Sequence, residues 1–263
     1  MSAREFALTK VVSRLSIAFA ALSSLLVFCW PLFIGSANAC ESQVAQTVFI
    51  LLMPMLLILL LVEFATGEIG SKQLAILGVL IALNAVIRLL GAGTAGIETA
   101  FFLIIIGAYV FGSSFGFILG AGSLFVSGLL SGGVGPWLPF QMMAAGLVGL
   151  GAGALWRARG RVTQIAILVG YAIVAAFVYG ALMTMWNWPF LAGLGTTLSF
   201  VPGAPIASNL QRFVQYEILT GGLLWDLGRA ITTSALIALT APALLTSLRR
   251  AANRAGISRR KGD

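Results

Sequence analysis

Charged residues and histidine are what this sequence of 263 residues lacks most. Only 9% of its residues are charged and none is histidine, while 59% are hydrophobic and the mean hydropathy is +1.02. A soluble domain carries about 25% charged residues, so this chain could not cover a water-exposed surface. A lipid bilayer removes that need. The absence of histidine excludes histidine-based acid–base catalysis and the usual histidine metal sites.

Cysteine is also scarce, and phosphate-binding signatures are missing. The only cysteines, Cys29 and Cys40, do not form a C-x-x-C pair, which argues against a metal or redox centre. No G-x-x-x-x-G-K-[ST] loop occurs, so the chain has no Walker-type ATPase of its own. We therefore expect no metal, no cofactor and no catalytic residue. The net charge of +8 is concentrated in short polar stretches, which indicates membrane topology and anionic lipid rather than nucleic acid.

Long apolar runs are abundant, and they predict an all-α, polytopic membrane helix bundle of about eight spans. A helix needs roughly 20 apolar residues to cross the hydrocarbon core. The Gly112-Ser113-Ser114 turn divides one run that is too long for a single span. Residues 209–225 are helical in pattern but polar, which indicates an interfacial helix after a Pro-rich connection at 187–205. The predicted spans are 13–34, 46–64, 72–91, 97–111, 114–131, 138–156, 162–185 and 227–248.

The basic residues predict the orientation. Cytoplasmic loops hold most Lys and Arg. With a cytoplasmic N-terminus, 13 of the 16 basic residues fall inside, and Arg88, Arg212 and Arg229 are the exceptions. An even number of spans also returns the basic C-terminal tail to the cytoplasm. We expect a multi-pass protein of the cell membrane with both termini cytoplasmic.

The N-terminal region has two interpretations. Basic residues, an apolar run and Ala37-Asn38-Ala39 before Cys40 are typical of a cleaved secretory signal. The apolar run from Leu15 to Ile34 is long for a signal, which favours a retained helix. Both interpretations leave the second span running in the same direction.

Polar groups gather near the predicted outer side of the membrane, where a substrate cavity would open. Polar side chains inside a bundle are costly and need a reason. A local Asp226–Arg229 pair is expected from their spacing of three, and polar residues also lie on the interfacial helix, among them Gln211, Arg212, Tyr216 and Glu217. The candidate substrate-binding residues are Asn84, Arg88, Glu98, Trp137, Gln141, Asn187 and Trp188. The tryptophans could equally be interfacial anchors, and Arg88 could extend to the head groups.

Stripes of small residues occur on two predicted spans. The third span carries Ala75, Gly78, Ala82 and Ala85, and the sixth carries Ala145, Gly149 and Gly153. Such stripes let helix backbones approach closely. They serve either packing within the bundle or docking onto another membrane subunit.

From about residue 70 onward, the order of these parts resembles the substrate-binding S components of energy-coupling factor (ECF) transporters. A small-residue helix from Leu74 to Leu90 is followed by two Gly-rich spans that meet at Gly107-Ala108-Tyr109-Val110-Phe111-Gly112. The most specific segment is Gly135-Pro136-Trp137-Leu138-Pro139-Phe140-Gln141-Met142. The resemblance divides the chain into a two-helix extension at 1–70, a six-span core at 71–250 and a basic tail at 251–263.

The resemblance implies a high-affinity binding protein for a vitamin or similar micronutrient. It also implies a membrane coupling subunit and two cytoplasmic ATPase subunits as partners. In this family the first core helix contacts the coupling subunit, and the subunit topples in the membrane to release its substrate. The matching docking positions are Ala75, Gly78 and Ala82. On this interpretation, Arg88 holds an anionic group and the tryptophans stack on a ring.

Two other functions remain open at the level of sequence. One is a self-sufficient secondary transporter or channel, although no inverted repeat or selectivity-filter repeat is visible. The other is a membrane-embedded enzyme acting on a lipid-linked substrate. Glu63 and Glu68 would be its acids, but no basic or metal-binding cluster lies near them in sequence.

Overall fold

The computed structural model describes residues 19–33, 47, 50–62, 70–91, 96–192 and 195–255. Within these ranges every regular element is helical, as the hydropathy pattern predicts. The first two helices are described as Phe19–Phe28 (α1) and Ile50–Val62 (α2). A short 3-10 helix, Trp30–Leu32, follows α1. The others are α3 (Ser71–Gly91), α4 (Phe101–Phe111), α5 (Ser113–Ser131), α6 (Leu138–Ala154), α7 (Arg161–Leu191), α8 (Ile206–Leu219) and α9 (Gly222–Arg254).

Four of the described helices, α3, α5, α7 and α9, are long and apolar enough to cross a membrane. The predicted count of eight spans is therefore not established by helix length. Helix α4 has 11 residues and would span only about 16 Å, well short of a hydrocarbon core of about 30 Å. Nearly all of its residues are buried, because it lies in the middle of the bundle and contacts α5, α6, α7 and α9. Protein rather than lipid surrounds it.

The break between α4 and α5 falls at Gly112, as the sequence predicts. Gly112 has φ 107°, a conformation that glycine adopts far more readily than other residues. Its N–H donates to the Ala108 carbonyl, which ends α4, and α5 begins at the next residue. The reversal places α5 beside α6.

Helices α5 and α6 approach each other through glycine. A Cβ placed on Gly116 would collide with the Gly149 carbonyl, and one on Gly153 would collide with the backbone at Ser113. A Cβ on Gly120 would meet the Ala145 carbonyl in the same way. The small-residue stripe of the sixth predicted span is thus used for packing within the bundle.

Two predicted boundaries were wrong. Helix α7 does not end at 185 but continues to Leu191, with Pro189 inside its last turns. Buried Trp186 and Trp188 hold these turns against the bundle, which offsets the hydrogen bond that proline cannot make. Helix α8 ends at Leu219 and α9 begins at Gly222, because Gly221 with φ 82° breaks the chain between them. Asp226 therefore lies in the first turn and a half of α9.

The N-terminal helices share the hydrophobic core of the bundle. Phe28, Met53 and Leu60 are buried in the same cluster as the side chains of α4 and α6. Phe28 meets Phe140 edge-on, with ring centroids 5.5 Å apart. The suggested signal cleavage site before Cys40 lies outside the described residues.

Candidate functional site

The bundle has two polar ends of different chemistry. At one end, Arg157 donates from Nε and Nη2 to the Tyr109 carbonyl at 3.0 and 2.8 Å. Arg249 donates there to Gln164 Oε1 at 2.9 Å. Helix α5 starts near this basic end and finishes beside Arg88, where the candidate substrate residues of the sequence lie.

A hydrogen bond between Arg88 and Ser127 joins α3 to α5 at this second end. Arg88 Nη1 donates to Ser127 Oγ at 2.9 Å. Ser127 Oγ in turn donates to the Leu124 carbonyl at 3.2 Å. Arg88 Nε is buried and has no hydrogen-bond partner. The arginine side chain is therefore turned into the bundle rather than simply extended to the head groups.

Asn84 and Ser123 lie one helical turn deeper than Arg88 and Ser127. Residues four apart share a helix face, so both side chains point toward the same α3–α5 region. Both are fully buried, and neither the Asn84 amide nor the Ser123 hydroxyl has a hydrogen-bond partner. Buried polar groups are normally paired. Two unpaired side chains, Asn84 and Ser123, beside the half-paired Arg88 are typical of a site that a polar ligand completes.

Glu98 and the Asp226–Arg229 pair approach this region around Tyr179 of α7. Glu98 Oε1 accepts the Ala100 N–H at 3.1 Å, just before α4. Arg229, Glu98, Arg88 and Asp226 are the charged side chains in the surroundings of the buried Tyr179. We use the name Tyr179 cluster for Tyr179 and these four charged residues together with Asn84, Ser123 and Ser127, which lie between α3 and α5.

Asp226 and Arg229 form the ion pair that their spacing of three predicts. Arg229 Nη1 donates to Asp226 Oδ1 and also to the Ala176 carbonyl at 3.2 Å. The guanidinium lies 4.9 Å from the centre of the Tyr179 ring. The pair therefore also ties α9 to α7 and forms one side of the cluster.

A cavity of about 280 Å³ opens beside this ion pair, between α7, α8 and α9. Its lining residues are Gly180, Met183, Thr184, Leu191, Tyr216, Thr220, Gly222, Trp225, Asp226 and Arg229. The volume lies just below the usual range for small-molecule sites, about 300 to 1,000 Å³.

Glu217 of α8 is not among the lining residues, but its carboxylate lies next to one of them, Gly222. Its side chain is 6% exposed, and neither carboxylate oxygen meets hydrogen-bond geometry with a protein donor. Burial raises the pKa of Glu217, and the charge of Asp226 adds to that rise, while Thr184 and Arg229 oppose it. A Cβ on Gly222 would collide with Glu217 Oε2, so the carboxylate fills the space beside this glycine.

The other predicted substrate residues are not drawn into the Tyr179 cluster. Trp188 is fully buried, donates to the Leu198 carbonyl at 2.9 Å and packs on Phe200 and Phe213. Trp137 is 45% exposed, and its indole donates to the Gly133 carbonyl. The side chains of Gln141 and Asn187 are half-buried.

The predicted docking positions lie on the outside of α3. Ala75, Gly78 and Ala82 are all exposed, and no atom lies within 4 Å of a Cβ added at Gly78. Ala85, the fourth member of the stripe, is instead fully buried. The small-residue stripes of α3 and α6 thus differ, since most of the α3 stripe faces away from the bundle.

Sequence reasoning missed Tyr179 and Ser123 altogether and placed Glu217 only on a polar helix. The spacing of Ser123 and Ser127 by four residues, in an otherwise apolar glycine-rich helix, was a usable signal. Tyr179 had no such signal, because a tyrosine in an apolar span is common in bundle interiors. Among the described residues, no group of three or more His, Cys, Asp or Glu side chains could hold a metal ion.

Comparison with known families gives a match over most of the chain. Residues 72–252 match the family model described as the substrate-specific component of ECF transporters. The matched region begins one residue into α3 and ends near the end of α9, so it includes every residue of the Tyr179 cluster. Comparison with curated proteins and with solved structures returned no match.

Proposed function

The chain belongs to the family of substrate-specific components of ECF transporters, and from this we propose that it is the substrate-binding membrane subunit of an ECF-type ABC importer for a vitamin or related micronutrient. Its partners would be a membrane coupling subunit and two cytoplasmic ATPase subunits. Members of the family are transport subunits rather than enzymes. The proposal includes a core at 71–250, an N-terminal extension at 1–70 and a basic tail at 251–263.

The observation that carries the binding role is the set of unpaired polar groups in the Tyr179 cluster. Asn84 and Ser123 lack partners, and Arg88 keeps a buried Nε–H free to donate. Leaving a buried polar group unpaired costs about 1 to 3 kcal/mol. A substrate that pairs these groups would recover that free energy on binding. Arg88 would donate a hydrogen bond to an anionic or carbonyl oxygen of the substrate.

The substrate-binding assignments differ in their support. Asn84, Arg88 and Glu98 belong to the Tyr179 cluster, and we retain them as substrate residues. Gln141 and Asn187 are partly exposed and have no side-chain hydrogen bond in the described part of the chain, so they are available to a ligand. For Trp137 and Trp188 a packing or anchoring role is better supported, since both indole N–H groups are already satisfied.

The exposed small residues of α3 support a docking role toward the coupling subunit. Ala75, Gly78 and Ala82 leave a shallow strip on which a partner helix could approach closely. In membranes this kind of contact needs no large apolar side chain, because packing drives association. We place both termini in the cytoplasm and count eight crossings, on the distribution of basic residues.

Uptake measurements test the proposal. Cells that express the chain with a coupling subunit and both ATPases should accumulate the substrate, and cells with inactive ATPases should not. Undiminished uptake without the ATPases would instead support a self-sufficient transporter. Arg88→Ala should abolish binding of the copurifying substrate, whereas Arg159→Ala, an exposed arginine at the basic end, should not.

A further inference from the structure

The N-terminal part of the chain reaches the helix that forms one wall of the cavity. The 3-10 helix Trp30–Leu32, which follows α1, contacts both α7 and α8. Trp30 donates from its indole nitrogen to the Trp186 carbonyl of α7 at 2.9 Å, which fixes this turn against the bundle. The family match begins at residue 72. This contact therefore joins a segment outside the matched region to two helices inside it.

A small cluster of buried side chains carries the contact from the 3-10 helix to α8. Its members come from α7, from α8 and from the segment between them: Met185, Trp188, Phe200 and Phe213. We call it the Trp188 cluster. The ring centroids of Trp30 and Phe200 lie 6.4 Å apart, and Trp188 meets the rings of Phe200 and Phe213 edge-on at 5.8 and 5.7 Å. Leu32 packs against the same cluster.

Tyr216 connects the Trp188 cluster with the cavity. It lies three residues after Phe213, on the same side of α8, and it packs against the cluster. It also lines the cavity between α7, α8 and α9, together with Asp226 and Arg229 of the Tyr179 cluster. The cavity thus shares a wall with the substrate residues, and Tyr216 is the residue through which α8 contributes to it.

Helix α8 packs on the bundle through one face. Asn209 and Phe213 are buried on that face, whereas Ile206, Leu210 and Val214 on the outer side are exposed. An amphipathic helix is held in place by the face that it buries. The side chains that fill the Trp188 cluster from the N-terminal part of the chain therefore help to set the position of α8.

We propose that Trp30 and Leu32 are positioning residues of the substrate site, which hold α8 through the Trp188 cluster so that Tyr216 forms the wall of the cavity beside Arg229. The N-terminal extension is on this account a working part of the site. The inference rests on the proposed transport function, because the cavity takes its role from the substrate residues that it shares.

Hydroxyl-radical footprinting of the full-length chain in phosphatidylglycerol nanodiscs tests the proposal, since it reports the exposure of single side chains. Met183 and Tyr216 both line the cavity and are half-buried. Leu32→Ala should raise the oxidation of both by at least about threefold, because an underpacked cluster lets α8 open locally more often. Trp30→Phe, which keeps a ring but removes the donor to Trp186, should act in the same direction. Oxidation at the wild-type rate in either variant would overturn the proposal.

Two control variants separate positioning from a general loss of stability. Met53→Ala truncates a fully buried side chain of α2 that belongs to the larger core and not to the Trp188 cluster. It should lower the unfolding midpoint and leave Met183 and Tyr216 as protected as in the wild type. Leu32→Met conserves volume and should keep the wild-type protection. An equal rise of oxidation in Met53→Ala would contradict the positioning role.

The footprint needs neither a substrate nor the transport partners, so the two proposals can fail separately. Absence of ATP-dependent uptake, with the expected footprints, would count against the transport function alone. Normal uptake with unchanged footprints in Leu32→Ala would count against the positioning role alone.

Discussion

The indole N–H of Trp30 donates to the main-chain carbonyl of Trp186, 2.9 Å away and 156 residues later in the chain. Trp186 is itself stacked on Phe140, with ring centroids 4.0 Å apart. The segment after α1 is thus joined to α7, and through Trp186 to α6. This contact gives the N-terminal region a structural role in the matched core.

Trp30→Phe should lower the thermal stability of the chain. The substitution keeps an aromatic ring but removes the donor to Trp186, and a buried hydrogen bond contributes about 1 kcal/mol. Thermal unfolding in nanodiscs measures the effect. Trp156→Phe is the control, because Trp156 is 74% exposed. Equal midpoints for the two variants would show that the Trp30 contact contributes nothing.

The burial of Phe28 and Trp30 predicts that the first helix is retained in the mature protein. Cleavage after Ala39 would remove both side chains from the core that they help to fill. Mass spectrometry of protein purified from membranes should therefore recover the peptide that contains Trp30. A mature chain that begins at Cys40 would contradict this and support the signal-peptide interpretation.

Asn→Leu substitutions at two buried positions should have opposite effects on stability. Asn84 has no partner, so Asn84→Leu should raise the unfolding temperature of the ligand-free chain while abolishing substrate binding. Asn209 is equally buried but exchanges two hydrogen bonds with the Val201 backbone, at 3.1 and 2.9 Å. Asn209→Leu should therefore destabilise by about 1 to 3 kcal/mol. Destabilisation of similar size by both would mean that Asn84 has a structural rather than a binding role.

Glu217 should make the stability of the ligand-free chain depend on pH. Because its pKa is raised in the folded state, the group favours folding fully below the pKa of the unfolded chain, and this contribution is lost as pH rises through the folded value. The groups that face it are Asp226 and Arg229 from α9, Thr184 from α7 and the neighbouring Tyr216. Glu217→Gln should stabilise the chain at neutral pH.

The advantage of Glu217→Gln should shrink as pH falls toward the ordinary range of a glutamate, where the wild-type carboxyl is protonated as well. Thermal unfolding at several pH values gives the difference in stability between the wild-type chain and Glu217→Gln. A difference that stays constant with pH would show that Glu217 has the same pKa in the folded and the unfolded chain.

The features that the sequence predicted correctly depend on local patterns. The break at Gly112 and the Asp226–Arg229 pair follow from neighbours within a few residues. The cavity beside Glu217 could not be predicted in that way, because it depends on how three helices meet. Trp188 shows the same limit, since the sequence placed it at a membrane interface and the fold encloses it.

The small-residue stripes of α3 and α6 show that tertiary packing, and not the sequence pattern, decides what each stripe contacts. Gly78 and Gly149 belong to similar stripes in similar apolar helices. The two glycines differ only in their contacts. A Cβ placed on Gly149 would collide with the Gly116 backbone, whereas a Cβ placed on Gly78 would have no atom within 4 Å. Gly149→Leu should therefore prevent folding, whereas Gly78→Leu should leave folding and substrate binding intact. Size-exclusion profiles of both variants check this, and aggregation of Gly78→Leu would contradict it.

The central claim, that this chain is the substrate-binding subunit of an ECF importer, is tested most directly by reconstitution. The chain should be placed in liposomes with the coupling subunit and both ATPases. The ligand that copurifies with the chain should then be supplied outside the liposomes. Uptake should require ATP hydrolysis, stop with Arg88→Ala, and stop with Gly78→Leu although that variant still binds ligand. Uptake that proceeds at full rate without the ATPases would contradict the account.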